Sequence, residues 1–220
     1  MSPVRARHLG VVLATGLVMV LAGCAPQDGD NAAGTLLTAT TGSAAPDTGA
    51  PPPPSRAEVD AAGLDPCPRP AADAAPAAGG LPDLTLPCLG DGPAVPLAGL
   101  RGTPMVLNVW TSWCGPCRDE LPVLAEVAAQ AGERVRFLGV DVADFDPAAA
   151  LQLLTDAGVS YPSVVDYGQA TKPALRWVGP PMTVLVRADG TVAYRWPSPV
   201  TSADQLRELI ATHLGVDVAT

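Results

Sequence analysis

Histidine and lysine are scarce in this chain of 220 residues, which contains two histidines, His8 and His213, and a single lysine, Lys172. A zinc site built on a pair of cysteines needs two further cysteine or histidine ligands at suitable spacing, so zinc binding has little support. Acidic residues outnumber basic ones by 22 to 13, and the formal net charge is −9. This charge argues against nucleic acid as a partner and is explained by solubility alone.

Long apolar runs are also absent, except for one from Val11 to Leu21 that follows a short basic region. The run is too short to span a bilayer comfortably and is typical of a removed leader. It ends in Leu-Ala-Gly-Cys at residues 21–24, which resembles the signal of a bacterial lipoprotein. We therefore predict a signal peptide over 1–23 and acylation of Cys24. A plain signal peptide and an uncleaved anchor are the alternatives.

Large apolar side chains are nearly missing from residues 24–80, which are rich in Ala, Gly, Pro, Thr and Asp. Such a segment cannot bury enough apolar area to offset the entropy that ordering it would cost. The four prolines at 51–54 favour a locally extended polyproline II conformation. We predict a disordered tether over 24–80 that holds one core-bearing domain, residues 81–220, away from a membrane.

The most informative motif is Trp113-Cys114-Gly115-Pro116-Cys117, which lies between an apolar run at 104–110 and a helical pattern at 118–131. The run predicts a buried strand, so Cys114 falls near the N-terminus of a helix. The unpaired N–H groups and partial positive charge there stabilise a thiolate. In such motifs the thiol pKa falls from about 8.5 to between ~3.5 and ~7.5. We predict that Cys114 attacks disulfides and that Cys117 resolves the mixed disulfide.

Two cysteines at this spacing could also form half of a zinc site or an inert structural disulfide. A c-type haem attachment requires histidine directly after the second cysteine, and Arg118 stands there instead. The redox-active interpretation is favoured, and neither a cofactor nor a metal is expected.

The segment Val106–Pro122, VLNVWTSWCGPCRDELP, closely resembles the extracytoplasmic thioredoxin-like proteins of the ResA/TlpA/CcmG type. The resemblance runs from about Leu81 to the C-terminus, and these proteins are membrane-tethered thiol–disulfide oxidoreductases. It implies an α/β, thioredoxin-like fold with a central mixed β-sheet flanked by helices, an N-terminal hairpin and an extra central helix.

Local patterns give a matching order of elements. Asp-Gly at 189–190 is a strong hairpin signal, Asp146 is a good helix N-cap, and either Ser202 or Thr201 caps the last helix. The predicted strands are 104–110, 134–142, 161–166, 182–187 and 191–196, the predicted helices are 118–131, 147–157, 169–176 and 202–213, and the N-terminal hairpin pairs 83–89 with 95–97.

The resemblance also suggests a role for Glu120, which matches a glutamate three residues after the family's second cysteine. Cytosolic thioredoxins instead carry a buried aspartate where this chain has Asn108. If Glu120 is buried near the sulfurs, its pKa should be raised and it could accept the proton of the resolving thiol. The alternative is a solvated glutamate that the helix dipole stabilises.

Gly179–Thr183 matches the family segment Gly-x-Pro-Thr-Thr, whose proline is cis and lies against the sulfurs. Pro181 is the matching residue, and Pro180 before it departs from the pattern. The backbone N–H at that position usually pairs with the substrate chain, and proline has none. Substrate docking is therefore expected to be looser, or the partners different. Trp113 is either part of the partner-binding surface or a core aromatic.

The two remaining cysteines, Cys67 and Cys88, are expected to pair in an oxidising compartment. Their bridge would tie the end of the tether to the first hairpin and close a loop worth about 3 kcal/mol in the chain-entropy model. A second redox relay is the alternative, and the family resemblance does not require these residues.

The combined prediction is a lipoprotein on the outer face of a bacterial plasma membrane that reduces disulfides in client proteins such as apocytochrome c. Its reducing power would come from a transmembrane electron donor. One alternative is an oxidase that installs disulfides in secreted proteins. Another is a copper-binding or copper-delivery module on the same fold, which usually needs a wider cysteine spacing and a downstream histidine.

Overall fold

The computed structural model describes residues 50–71 and 73–218. The helices are α1 (Arg56–Ala62), α2 (Gly115–Ala131), α3 (Pro147–Asp156), α4 (Thr171–Leu175) and α5 (Ala203–Leu214). The strands are β1 (Thr85–Leu86), β2 (Val95–Pro96), β3 (Met105–Trp110), β4 (Arg136–Val142), β5 (Ser163–Asp166), β6 (Met182–Val186) and β7 (Val192–Trp196).

Five strands form one mixed sheet in the order β5-β4-β3-β6-β7. Strand β3 is parallel to β4, and β4 is parallel to β5, whereas β6 and β7 run antiparallel to their neighbours. The short strands β1 and β2 form a separate antiparallel hairpin. The predicted α/β fold, with its mixed sheet, flanking helices and N-terminal hairpin, is confirmed.

Strand β3 lies at the centre of the sheet, and all six of its residues are buried. Val106 and Trp110 belong to an apolar cluster with α2, α3 and α5, whereas Leu107 and Val109 belong to a second cluster with residues of β1, β2 and α4. Burial on both faces explains why β3 is apolar at every position except Asn108 instead of alternating. Its carboxyl end leads directly into the two-cysteine motif.

Local signals set the ends of the main helices. Cys114 is the N-cap of α2, and its sulfur accepts the backbone N–H of Cys117 at 3.2 Å. Asp146 caps α3 by accepting the N–H of Ala149, and Ser202 caps α5 in the same way. Asp146 is the cap that the sequence predicts, and Ser202 is one of the two residues predicted to cap the last helix.

The tether prediction over 24–80 differs from the structure in its described part. Ser55 and Glu58 form a capping box at the start of α1, which packs against α3. Further along, the N–H of Asp65 donates to Ser160 at 2.7 Å and that of Cys67 to Asp91 at 2.8 Å. Where the sequence predicts a disordered tether, the described residues up to 80 therefore include one helix and several contacts with the rest of the fold. A composition averaged over the whole segment conceals one short capped helix and a few anchoring contacts.

The predicted leader, 1–23, the lipidation site Cys24 and the first part of the tether lie outside the described residues. Within 50–71 and 73–218, no helix is both long enough and apolar enough to cross a membrane.

Candidate active site

The structure places Cys114 and Cys117 at the N-terminus of α2, joined by a disulfide with 5.3 Å between their Cα atoms. Cys114 retains 6% of its surface, whereas Cys117 retains none. Cys114 is therefore the less buried of the two cysteines. The helix N-terminus and the N–H of Cys117 both face its sulfur, and both would stabilise a thiolate there.

The segment before the cysteines is fastened to the loop between β4 and α3. The Asp144 carboxylate accepts the backbone N–H of Ser112 at 2.7 Å and the hydroxyl of Thr111 at 3.3 Å. The indole N–H of Trp113 donates to the carbonyl of Ala143 at 3.2 Å. Trp113 is 61% exposed, so it is not a core aromatic and lies on the surface beside Cys114.

Glu120 is buried under the same helix, with 1% of its surface exposed. One carboxylate oxygen accepts the side-chain amide of Asn108 at 2.7 Å, and the other accepts the N–H of Val200 at 2.9 Å. Burial raises the pKa of Glu120 to about 7, although both hydrogen bonds act in the opposite direction. The solvated alternative is therefore wrong. Glu120 lies three positions after Cys117, which places the two on one helix face.

The loop before β6 closes the site from the other side. The Pro180–Pro181 peptide bond is cis. Met182 pairs with Val109, so the two prolines lie beside the carboxyl end of β3, where the cysteine segment begins. Pro181 is buried and Pro180 half-buried.

The second pair, Cys67 and Cys88, is joined by a disulfide with a Cα–Cα distance of 6.0 Å. Cys88 forms an antiparallel bridge with Val164 of β5. On either side, the N–H of Leu89 donates to Ser163 and the N–H of Val165 donates to Pro87. This disulfide thus fastens a short segment along the free edge of β5, at the opposite side of the sheet from β7.

Sequence reasoning missed two residues of this site, Asp141 and Asp144, which are 0% and 1% exposed. Asp144 holds the segment before Cys114, and Asp141 lies beside it at the end of β4. Burial, followed by the charge of Asp144, raises the pKa of Asp141 to about 9. Sites of α/β proteins form at the carboxyl ends of strands, so two aspartates at the end of a predicted strand were an available signal.

No group of three or more histidine, cysteine, aspartate or glutamate side chains within 50–71 and 73–218 is arranged to hold a metal ion.

Residues 72–209 match the family model described as Redoxin. The chain belongs to the Redoxin family. Among curated proteins, this Redoxin chain is 37% identical over 133 residues to the thiol:disulfide interchange protein CycY of Rhizobium leguminosarum bv. viciae, a match covering 60% of this chain and 65% of that protein. It is 32% identical over 104 residues to the thiol-disulfide oxidoreductase ResA of Bacillus anthracis, covering 46% and 59%. The matches thus span less than two thirds of either relative.

Among solved structures, the Redoxin chain resembles a secreted Mycobacterium tuberculosis disulfide oxidoreductase that is homologous to E. coli DsbE. The TM-score is 0.52 at 28% identity, covering 59% of this chain and 96% of that one. This likeness supports the thioredoxin-like fold that the motif predicts.

Proposed function

We propose that this Redoxin-family chain is an extracytoplasmic thiol–disulfide oxidoreductase that reduces disulfides of client proteins, including the haem-binding cysteines of apocytochrome c. One observation carries the proposal. Cys114 caps α2, and it is the less buried member of a cysteine pair that lies one helical turn from the buried Glu120. That combination supplies a stabilised thiolate, a resolving thiol and a proton acceptor. The names of CycY and ResA point to the same chemistry.

The first step begins from the reduced pair. The Cys114 thiolate attacks one sulfur of the client disulfide, the client S–S bond breaks, and the second client sulfur leaves as a thiolate. The products of this step are a mixed disulfide between Cys114 and the client and one client thiolate, which takes a proton from solvent. Trp113, which is exposed next to Cys114 in the chain, and the loop at Pro180–Pro181, beside the carboxyl end of β3, provide the surface on which the client would lie.

The second step releases the client. Cys117 gives its proton to the Glu120 carboxylate and attacks the sulfur of Cys114, so the mixed disulfide breaks and the remaining client sulfur leaves as a thiolate. Glu120 then returns its proton to solvent or to that thiolate. Two electrons have passed from the cysteine pair to the client. The pair ends as the Cys114–Cys117 disulfide, the form that the structure contains. Repeated turnover needs a transmembrane electron donor.

Attachment to the membrane through an acylated Cys24 completes the proposal. Its support is the sequence alone, because residues 1–49 lie outside the described part of the chain. In a bacterial host, labelled fatty acid should enter the wild-type protein and not Cys24→Ser. Equal labelling of both forms would exclude this anchor.

The activity is tested with Cys117→Ser, which can attack but cannot resolve. Mixed with an oxidised client protein, this variant should accumulate a disulfide-linked complex, whereas Cys114→Ser should not. The direction of electron flow is tested by measuring the reduction potential of Cys114–Cys117 in defined thiol buffers. A value near about −270 mV supports a reductant, and one near about −120 mV would show that disulfide formation is the role.

A further inference from the structure

The loop between β4 and α3 carries a carboxylate that holds the active-site segment. The Asp144 carboxylate receives hydrogen bonds from the N–H of Ser112, from the hydroxyl of Thr111 and, at 3.2 Å, from the N–H of Asp146. Two of these donors belong to the four residues that separate β3 from α2. Asp144 therefore fixes the backbone from which Cys114 projects.

Asp141 lies behind this contact. It pairs in register with Trp110 of β3 and with Val165 of β5, and none of its surface is exposed. Neither of its carboxyl oxygens accepts a hydrogen bond from a donor among the described residues. Asp144, which is 1% exposed, lies three positions further along the chain at the same end of β4, and its carboxylate is itself an acceptor. A buried carboxylate that has no donor and lies near a second carboxylate does not remain ionised, because desolvation and mutual repulsion disfavour its charge.

We propose that Asp141 and Asp144 share a single proton, so that a neutral Asp141 donates a hydrogen bond to the Asp144 carboxylate and thereby positions the segment that carries Cys114. Asp141 and Asp144 are positioning residues, since neither touches the reacting sulfurs in this scheme. The shared proton rests on the burial of both side chains and on the lack of a donor to Asp141 among the described residues. Its effect on Cys114 rests on the proposed function.

The pair has no ionic partner within the described part of the chain, where no salt bridge involves either carboxyl. From β5, the Asp166 carboxylate is occupied by Thr171, and the pKa of Tyr167 is raised by its own burial and then by the two aspartates. The Asp146 carboxylate caps α3.

The remaining neighbour is α2, which presents the two cysteines together with Arg118, whose guanidinium donates to the carbonyl of Ser112. A second negative charge at the pair would repel the Cys114 thiolate, and Arg118 forms no salt bridge with the pair that would offset this charge. Retention of the proton therefore favours both the loop geometry and the thiolate.

The test compares wild type with Asp141→Asn, whose amide donates to Asp144 as the neutral acid would and has no proton to lose. Asp119→Asn, which removes an exposed carboxylate from α2, is the matched control. All forms are kept oxidised, so that cysteines do not titrate. Denaturant unfolding is measured from pH 7 to pH 9, above the range in which Glu120, with a pKa of about 7, contributes most.

The sign of the change in stability with pH follows from the raised pKa of Asp141. A carboxyl with a raised pKa stabilises the fold at low pH, and this stabilisation is lost as pH rises toward the folded-state value. The folding equilibrium constant of wild type should therefore fall relative to Asp141→Asn by up to about tenfold per pH unit between about pH 7 and 9. Asp119→Asn should run parallel to wild type. A constant difference between wild type and Asp141→Asn would overturn the shared proton.

Two further measurements keep the outcome decisive. If Asp141→Asn does not fold, carbon-13 NMR of the wild-type aspartate carboxyls should show one that remains protonated at pH 7, and full ionisation of all of them would refute the proposal. The rate at which Cys114 of the reduced protein is alkylated should show a step at alkaline pH that Asp141→Asn lacks. A shared proton without this step would overturn the proposed effect on Cys114. Failure of the client-trapping experiment, in contrast, would reject the proposed function and leave the shared proton standing.

Discussion

The two disulfides of this chain are the same chemical bond in opposite surroundings. Cys114–Cys117 lies at the N-terminus of a 17-residue helix, with a buried carboxyl one turn away. Cys67–Cys88 lies along the edge of β5, where strand-like backbone hydrogen bonds surround it on both sides. Among the described residues, neither Cys67 nor Cys88 begins a helix or bonds to a carboxylate side chain.

These surroundings favour reactivity at Cys114–Cys117 and a stabilising role for Cys67–Cys88. A helix N-terminus stabilises a thiolate, so it promotes opening of the disulfide, whereas backbone pairing along a strand gives no such stabilisation. The edge disulfide closes a loop across a sequence separation of 21 and joins the N-terminal segment to the sheet. Its larger effect should therefore be on the unfolded chain, whose freedom it reduces.

Replacing each cysteine pair in turn should produce the largest difference between the two disulfides. Cys114→Ser should abolish thiol–disulfide exchange with a client, because the attacking sulfur is gone. The double variant Cys67→Ser/Cys88→Ser should retain exchange and lose about 3 kcal/mol of unfolding free energy in denaturant. If the folded double variant lost exchange while keeping its stability, the edge pair would be a redox relay instead of a structural bridge.

Glu120→Gln tests a second difference between the two disulfides, since of the two only Cys114–Cys117 has a buried carboxyl nearby. Resolution of the mixed disulfide should slow roughly 100-fold, because the proton acceptor is lost while the packing is kept. The wild-type rate should rise with pH through about 7, where Glu120 ionises, and the variant should lack this step. Stopped-flow fluorescence of client release measures both effects. Glu208→Gln, an exposed change on α5, is the control.

Stability gives an independent check on Glu120. Its pKa is raised from 4.5 to about 7, so the protonated form stabilises the fold at low pH and this contribution is lost as pH rises through about 7. The unfolding free energy of Glu120→Gln relative to wild type should therefore increase between about pH 4.5 and 7. Equal pH profiles would mean that the carboxyl ionises as it would in solvent.

The comparison also shows what local sequence can predict. The start of α2, the hairpin at Asp189-Gly190 and the caps at Asp146 and Ser202 follow from signals a few residues long, and the structure contains all of them. The capping box of α1 is equally local, but a prediction made from the average composition of residues 24–80 does not detect it.

Contacts between distant segments follow a different rule. Asp144 lies 32 residues from Ser112, and their hydrogen bond exists because β3 and β4 are parallel neighbours whose carboxyl ends meet at one edge. Val200 reaches Glu120 across 80 residues for a similar reason. No short pattern encodes such a contact. Only the topology brings the partners together, so the sequence alone does not reveal them.

The smallest expected effect concerns the loop at Pro180, which borders the helix pair and has no counterpart at the edge pair. Pro180 offers no backbone N–H to a bound chain, so Pro180→Val should add one hydrogen bond to an extended client segment. The gain should be about 1 kcal/mol, or roughly fivefold in affinity. Calorimetry of client-peptide binding, with both forms carrying Cys114→Ser and Cys117→Ser, would measure this gain without exchange.

Pro93→Val, in the exposed loop between β1 and β2, controls for the loss of a proline elsewhere. It should leave client affinity unchanged, because its loop lies outside the surface that borders Cys114. Equal affinities of wild type and Pro180→Val would show that client chains do not pair with this position. The helix end and Trp113 would then be the surface that holds a client, and the contrast between the two disulfides would rest on the helix alone.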